Sequence, residues 1–112
     1  ILGLTPETAT ILASIVEEET NLKSEKPLIA GVYLNRLKKN MKLQADPTVR
    51  YAWNDFTIKR VLFSHLAIES RYNTYLYEGL PPGPICTPSP SSLNAVLNPE
   101  IHDYYFFCAK ED

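Results

Sequence analysis

A chain of 112 residues has room for one small domain with a modest core. Its 45% hydrophobic and 21% charged content is ordinary for a globular fold. The formal net charge of -2 gives no electrostatic reason to expect a nucleic-acid partner.

No apolar run reaches the ~18 residues of a membrane span, and no signal-peptide pattern is present. The chain begins at Ile1 without Met, which reads as a piece of something longer, with any anchor or targeting segment outside it. Cys86 and Cys108 are too few for a disulfide scaffold; they either pair in an oxidising compartment or stay as buried thiols. His65 and His102 stand apart from both, without zinc spacing, so neither a metal nor another cofactor is expected.

Thr5-Pro6-Glu7 opens a helix, with Thr5 as N-cap, Pro6 at the first helical position and an acid in the first turn. The helix is predicted over residues 6 to 19 or 20. At roughly 100° per residue, Ile11, Leu12, Ile15 and Val16 make one apolar stripe. Glu17 falls on the opposite face and Glu18 near the stripe's edge. Glu19 lies three residues after Val16, four after Ile15 and seven after Leu12, in the middle of the stripe. A carboxyl on a buried face is disfavoured as the anion, so its pKa rises, as a general acid near neutrality requires. A glutamate curling to solvent at a frayed helix end fits the same pattern.

Ser24 reads as a second N-cap, with Pro27 still in the tolerated first turn of a helix over residues 25 to 39. Leu28, Ile29, Val32, Tyr33 and Leu37 form its buried arc. Arg36 lies within that arc and Asn35 at its edge. An arginine so placed either snorkels or pairs with a carboxylate, and the ion pair is the expected structural role. Asn40 ends the helix. Lys38, Lys39 and Lys42 make a basic cluster that a solvated helix end explains.

Asp46 is the expected N-cap of a short helix running to about Trp53, with Pro47 at its first position. Capping is a complete structural explanation for Asp46. Asn54-Asp55 is a turn, and residues 56 to 68 mix basic and apolar residues without choosing between helix and strand. Beyond Tyr72-Asn73-Thr74-Tyr75, the run Gly79-Leu80-Pro81-Pro82-Gly83-Pro84-Ile85 excludes a regular helix or central strand. It reads as a rigid loop shaping a surface, either for a polar ring-containing ligand such as carbohydrate or simply for packing. Ser89-Pro90 starts a helix carrying Leu93, Ala95, Val96 and Leu97, ended by Asn98-Pro99. Residues 104 to 109, YYFFCA, read as a short buried strand. The expected architecture is a single α+β domain: several short helices, a small β-sheet near the C-terminus and the rigid Pro/Gly-rich loop.

Several of these stretches occur together in one order: Ile15-Val16-Glu17-Glu18-Glu19-Thr20, Tyr33-Leu34-Asn35-Arg36-Leu37, Leu43-Gln44-Ala45-Asp46-Pro47-Thr48-Val49, Tyr72-Asn73-Thr74-Tyr75 and the Gly/Pro loop. In that order and spacing they resemble the catalytic domain of the YceG-like (MltG) family, the endolytic murein transglycosylases, over residues 6 to 109. The resemblance implies that Glu19, directly before the threonine of the E-x-E-T motif, is the catalytic acid. Glu18 stands where a lysine is common in relatives and adds negative charge beside it. Asn35, Gln44, Asp46, Thr48, Tyr72, Asn73 and Tyr75 are the expected substrate-binding residues.

The implied reaction is a lyase cleavage of the β-1,4 bond between N-acetylmuramic acid and N-acetylglucosamine within glycan strands, leaving 1,6-anhydro ends. Implied partners are peptidoglycan strands and cell-wall synthases, with no nucleic acid and no cofactor. A membrane anchor and a LysM-like region preceding this chain, and a tail following it, are implied for the full-length protein, which would place the domain on the outer side of the cell membrane. Two other readings stand beside this one: a hydrolytic muramidase using Glu19 and Asp46 as paired carboxylates, and a non-catalytic glycan-binding module.

Overall fold

The computed structural model describes residues 4–55, 57–58 and 60–107. Four α-helices carry the fold: α1, Pro6–Glu19; α2, Lys26–Lys38; α3, Asp46–Trp53; and α4, Pro90–Leu97. α1 packs against each of the other three, and α2 also packs on α4. The apolar stripe of α1 supplies Leu12, Ile15 and Val16 to a core shared with Ile29 and Tyr33 of α2, Leu43, Ile85 and Val96 of α4. The Gly/Pro loop enters this core through Ile85, whose amide donates to the Ser14 hydroxyl at 3.0 Å. The loop therefore packs on α1 while its outer residues shape the surface.

Thr5 caps α1 as expected, accepting from the Thr8 amide at 3.1 Å, and Glu19 is its last residue. Thr20 leaves the helix in an extended conformation, φ -149°, and donates its hydroxyl to Glu25 at 2.7 Å. α2 starts later than its sequence suggests. Ser24 does not cap it but sits in a single 3-10 turn, Lys23–Glu25, that leads into Lys26. Asn40, at φ 56°, takes the left-handed conformation that breaks the helix.

The expected β-sheet is absent. No strand occurs among the described residues, and the fold is helical with long ordered loops. Residues 104 to 107 are irregular, with a bend at Tyr105, while Cys108 and Ala109 of the predicted strand lie outside the described residues. The choice between a Cys86–Cys108 pair and two free thiols turns on Cys108 and so falls outside them too. The strand fails because its carbonyls are taken by side chains of α2. Asn35 donates to the carbonyls of His102 and Tyr104, each at 2.9 Å, and Arg36 to that of Tyr105 at 2.6 Å. High β-propensity reports fit to a pleated, half-buried surface, not the presence of a neighbouring strand.

Arg36 itself is buried, as its place in the arc implies, but the partners found for it among the described residues are not carboxylates. They are the carbonyls of Leu43 and Tyr105. The expected ion pair is replaced by a guanidinium that ties two later stretches of the chain, at Leu43 and at Tyr105, to α2.

Candidate active site

Glu19 stands at the C-terminal end of α1, where the helix dipole disfavours an anion. Tyr33, one of the largest fully buried side chains, donates its hydroxyl to Glu19 Oε1 at 2.8 Å. Burial raises the Glu19 carboxyl from 4.5 to about 7 against the pull of that hydrogen bond. The nearby charge of Asp46 contributes to this rise, while Arg50 and Arg36 pull the other way. Glu18 is exposed, and the charges that bear on Glu19 come from α2 and α3 instead. A carboxyl that is part protonated at neutral pH can give a proton and take one back.

Asp46 faces this carboxyl because it is relieved of the capping role. The N-cap of α3 is Ala45, no side chain caps the helix, and Asp46 is its first residue. Its carboxylate accepts the Tyr75 hydroxyl at 2.6 Å. Burial, that hydrogen bond and the Asp46 charge hold the Tyr75 phenol well above its ordinary pKa, so it stays a donor. Arg50 follows Asp46 one turn along α3, on the same helix face.

The loop that carries Tyr75 is tied to the start of α3 by a buried network. Thr48 and Thr74 hydroxyls lie 2.8 Å apart, the Ala45 amide donates to Thr74 Oγ1 at 2.9 Å, and the Gln44 amide donates to the Thr74 carbonyl at 3.2 Å. Asn73 is fully buried and brackets the same loop. Its amide nitrogen donates to the carbonyls of Leu66 and Ile68, and its oxygen accepts from the Tyr75 amide. Gln44 itself is exposed and held at φ 51°, a left-handed conformation in which a non-glycine residue is strained.

Of the residues singled out from the sequence, Glu19, Asp46 and Tyr75 therefore come together, with Gln44 exposed two residues before Asp46. Tyr72 is half-buried with its ring 4.8 Å from that of Tyr51. Thr48 and Asn73 are interior, and Asn35 is engaged with the C-terminal segment. Tyr33 and Arg50 escaped the sequence reading as site residues. For Tyr33 the signal was present: a tyrosine on a buried arc needs a partner for its hydroxyl.

Glu17 was also misplaced by the helical wheel, which sends it to the face opposite the core. In the structure it reaches α4. Its Oε1 accepts from the Ser89 amide at 2.9 Å and from the Ser89 and Ser92 hydroxyls at 2.7 Å each, with Lys26 Nζ 3.5 Å away. Burial opposes ionisation there, but these hydrogen bonds and the Lys26 charge hold the carboxyl down at about 2. Because the folded pKa lies below the unfolded one, the stabilisation is fully present above pH 4.5 and is lost as pH falls toward 2. With the side chain 27% exposed, solvent screening reduces the contribution to about 2 kcal/mol. Glu17→Gln is expected to melt lower than the parent at pH 7 and level with it near pH 2. A gap that stayed constant in calorimetry across that range would show that the charge is not the stabilising element.

A carboxyl poised near neutrality, gripped by a buried tyrosine and near a second carboxylate, defines the class: a small helical domain whose acidic side chains have the chemistry that general acid–base catalysis requires. The chain belongs to the YceG-like family, whose sequence model matches residues 1–112. It is 48% identical over 101 residues to the endolytic murein transglycosylase of Bacillus subtilis (strain 168), covering 90% of this chain and 28% of that protein. It is 34% identical over 111 residues to the endolytic murein transglycosylase of Streptococcus pneumoniae serotype 2, covering 96% of this chain and 20% of that protein. The crystal structure of a yceG-like protein from Listeria monocytogenes superposes with a TM-score of 0.85 at 42% identity, covering 93% of this chain and 34% of that one. The chain thus spans less than a third of the length of the curated relatives it matches.

Proposed function

We propose that this domain is the catalytic unit of an endolytic peptidoglycan lytic transglycosylase, cleaving the β-1,4 bond between N-acetylmuramic acid and N-acetylglucosamine inside glycan strands. The observation that carries the reading is Glu19, half-buried at the end of α1, its carboxyl raised to about 7 with Tyr33 on one carboxyl oxygen. The names of the relatives support the substrate class.

Protonated Glu19 gives its proton to the glycosidic oxygen, and the N-acetylglucosamine side leaves as an alcohol. The muramic C6 hydroxyl attacks C1, and the Glu19 carboxylate takes the hydroxyl proton. One carboxyl serves both steps and no water is consumed, so the product carries a 1,6-anhydro end. A pKa near the working pH suits a group that must act as acid and then as base.

Asp46, its carboxylate oriented by the Tyr75 hydroxyl, would offset positive charge at C1. Gln44 offers an exposed amide to a sugar, and Tyr72 a partly exposed ring. Thr48, Asn73 and Asn35 serve the site by holding backbone, since the hydrogen bonds of their side chains are made within the protein. The domain would act on the extracytoplasmic side, joined through the rest of the full-length protein to the cell membrane and to cell-wall synthases. Among the described residues no helix is long and apolar enough to cross a membrane.

Mass spectrometry of purified glycan strands digested by the full-length protein is the test. Anhydro-ended fragments from internal cleavage are expected. Reducing ends would assign a hydrolase in which Asp46 activates water, and uncleaved strands that stay bound would assign a binding module.

A further inference from the structure

The residue that holds Glu19 is itself held from behind by the C-terminal segment. The Phe107 ring meets the Tyr33 ring edge-on, with centroids 5.6 Å apart and planes at 89°. The Arg36 guanidinium lies 5.8 Å from the Tyr33 centroid and 5.3 Å from that of Phe106, and its Nε donates to the Tyr105 carbonyl at 2.6 Å. Upstream, the same segment is fastened along α2. The Glu100 amide donates to the Pro27 carbonyl at 3.1 Å, and His102 Nε2 donates to that of Leu28 at 3.1 Å. Gly31 permits this approach, because a Cβ there would collide with the Glu100 carbonyl and the His102 ring.

We propose that residues 99–107 form a positioning brace for the acid, in which Phe107, acting through the Tyr33 ring, fixes the Glu19 carboxyl and keeps water from its Tyr33 side. The brace rests on Glu19 being the catalytic acid. Phe107 does not touch Glu19; it covers the residue that does. Tyr33 is only 1% exposed, and Phe107, itself partly buried, is packed against the same core cluster. Trimming Phe107 opens a path for water to Tyr33 and lets its ring move. Burial is the largest cause of the raised Glu19 pKa, so hydration lowers it.

The charged and titratable groups facing Glu19 are Tyr33 and Arg36 on α2, Asp46 and Arg50 on α3, and Tyr75 on its loop. Phe107→Ala removes none of them, so a downward shift reports hydration. Tyr33→Phe acts with the opposite sign: it deletes a donor that favours the anion while leaving the cover in place, and the pKa rises. Simple loosening of the fold would lower both.

The experiment follows the Glu side-chain carboxyls of the full-length protein by 13C NMR across pH, with Glu19 assigned through Glu19→Gln. The expected result is a fall of about one pH unit or more in Phe107→Ala, a rise in Tyr33→Phe and near-parental titration in Phe107→Leu. The alkaline limb of kcat on glycan strands should move with the carboxyl, while KM stays within about twofold. An unmoved or raised Glu19 titration in Phe107→Ala, or a fall in both variants, overturns the brace. If Phe107→Ala does not fold, Phe107→Val carries the same test with a smaller downward shift, and no shift overturns it equally. The NMR arm stands apart from activity: the expected shifts in a protein that cleaves no glycan would support the brace and reject the proposed function.

Discussion

Glu19→Gln is expected to remove glycan cleavage while leaving the fold in place. The change is close to isosteric, and the Tyr33 hydroxyl, 2.8 Å from Oε1, still finds an oxygen to donate to. What is lost is the proton. Removing general acid catalysis costs ~10²–10⁴-fold, and a residue that acts as acid and then as base should cost more. The same variant has a second, independent signature. The folded-state pKa of Glu19 is raised from 4.5 to about 7, so the native state holds a proton that the unfolded state has released. The parent therefore loses stability as pH rises through that window, by about 3 kcal/mol once ionisation is complete. Glutamine does not titrate, so the variant should match the parent at pH 4 and melt higher than it above pH 8. Near-parental turnover with normal circular dichroism would overturn the assignment of Glu19, and a pH-independent stability gap would overturn its burial.

The second large effect is expected at Arg36, and on stability. Arg36→Ala removes a side chain 6% exposed whose guanidinium serves the Leu43 and Tyr105 carbonyls and lies beside the rings of Tyr33 and Phe106. The buried Leu43 carbonyl left unpaired costs about 1–3 kcal/mol, and with the part-buried Tyr105 carbonyl and the lost packing about 3 kcal/mol should be lost in all. That is a large share of the ~5–15 kcal/mol that holds a small domain together. Arg36→Lys should recover only part, because one ammonium cannot reproduce a planar fork reaching two carbonyls on different segments. Chemical denaturation of both variants checks the order, and parental stability in Arg36→Ala would mean that the two carbonyls find water instead.

Both outcomes depend on features that the sequence disclosed unevenly. The Thr5-Pro6-Glu7 start, the apolar spacing of Leu12, Ile15 and Val16, and the position of Glu19 on that stripe were all legible. They depend on backbone sterics and on neighbours within about one turn. The Asn40 break, the Asn54 turn and the helix after Ser89 belong to the same class. Asp46 was misread for the complementary reason. An Asp before Pro is a good local cap, but the local rule lost to a bond with Tyr75 across 29 positions. The strand predicted at the C-terminus was misread in the same way, since its side-chain preferences say nothing of which groups will meet its carbonyls.

By itself, then, the sequence determined where the main helices run, which face of α1 is buried, and that Glu19 ends that face as a candidate acid. The tertiary structure alone decided what surrounds Glu19. Tyr33 is brought to it across 14 positions, and Arg36 is joined to the Tyr105 carbonyl across 69. Such pairings carry no local signature, because a hydroxyl, a guanidinium and a carbonyl can each be satisfied by many partners. Only packing of α1, α2 and α3 around one core selects the few that are made, and that selection sets the protonation of the acid.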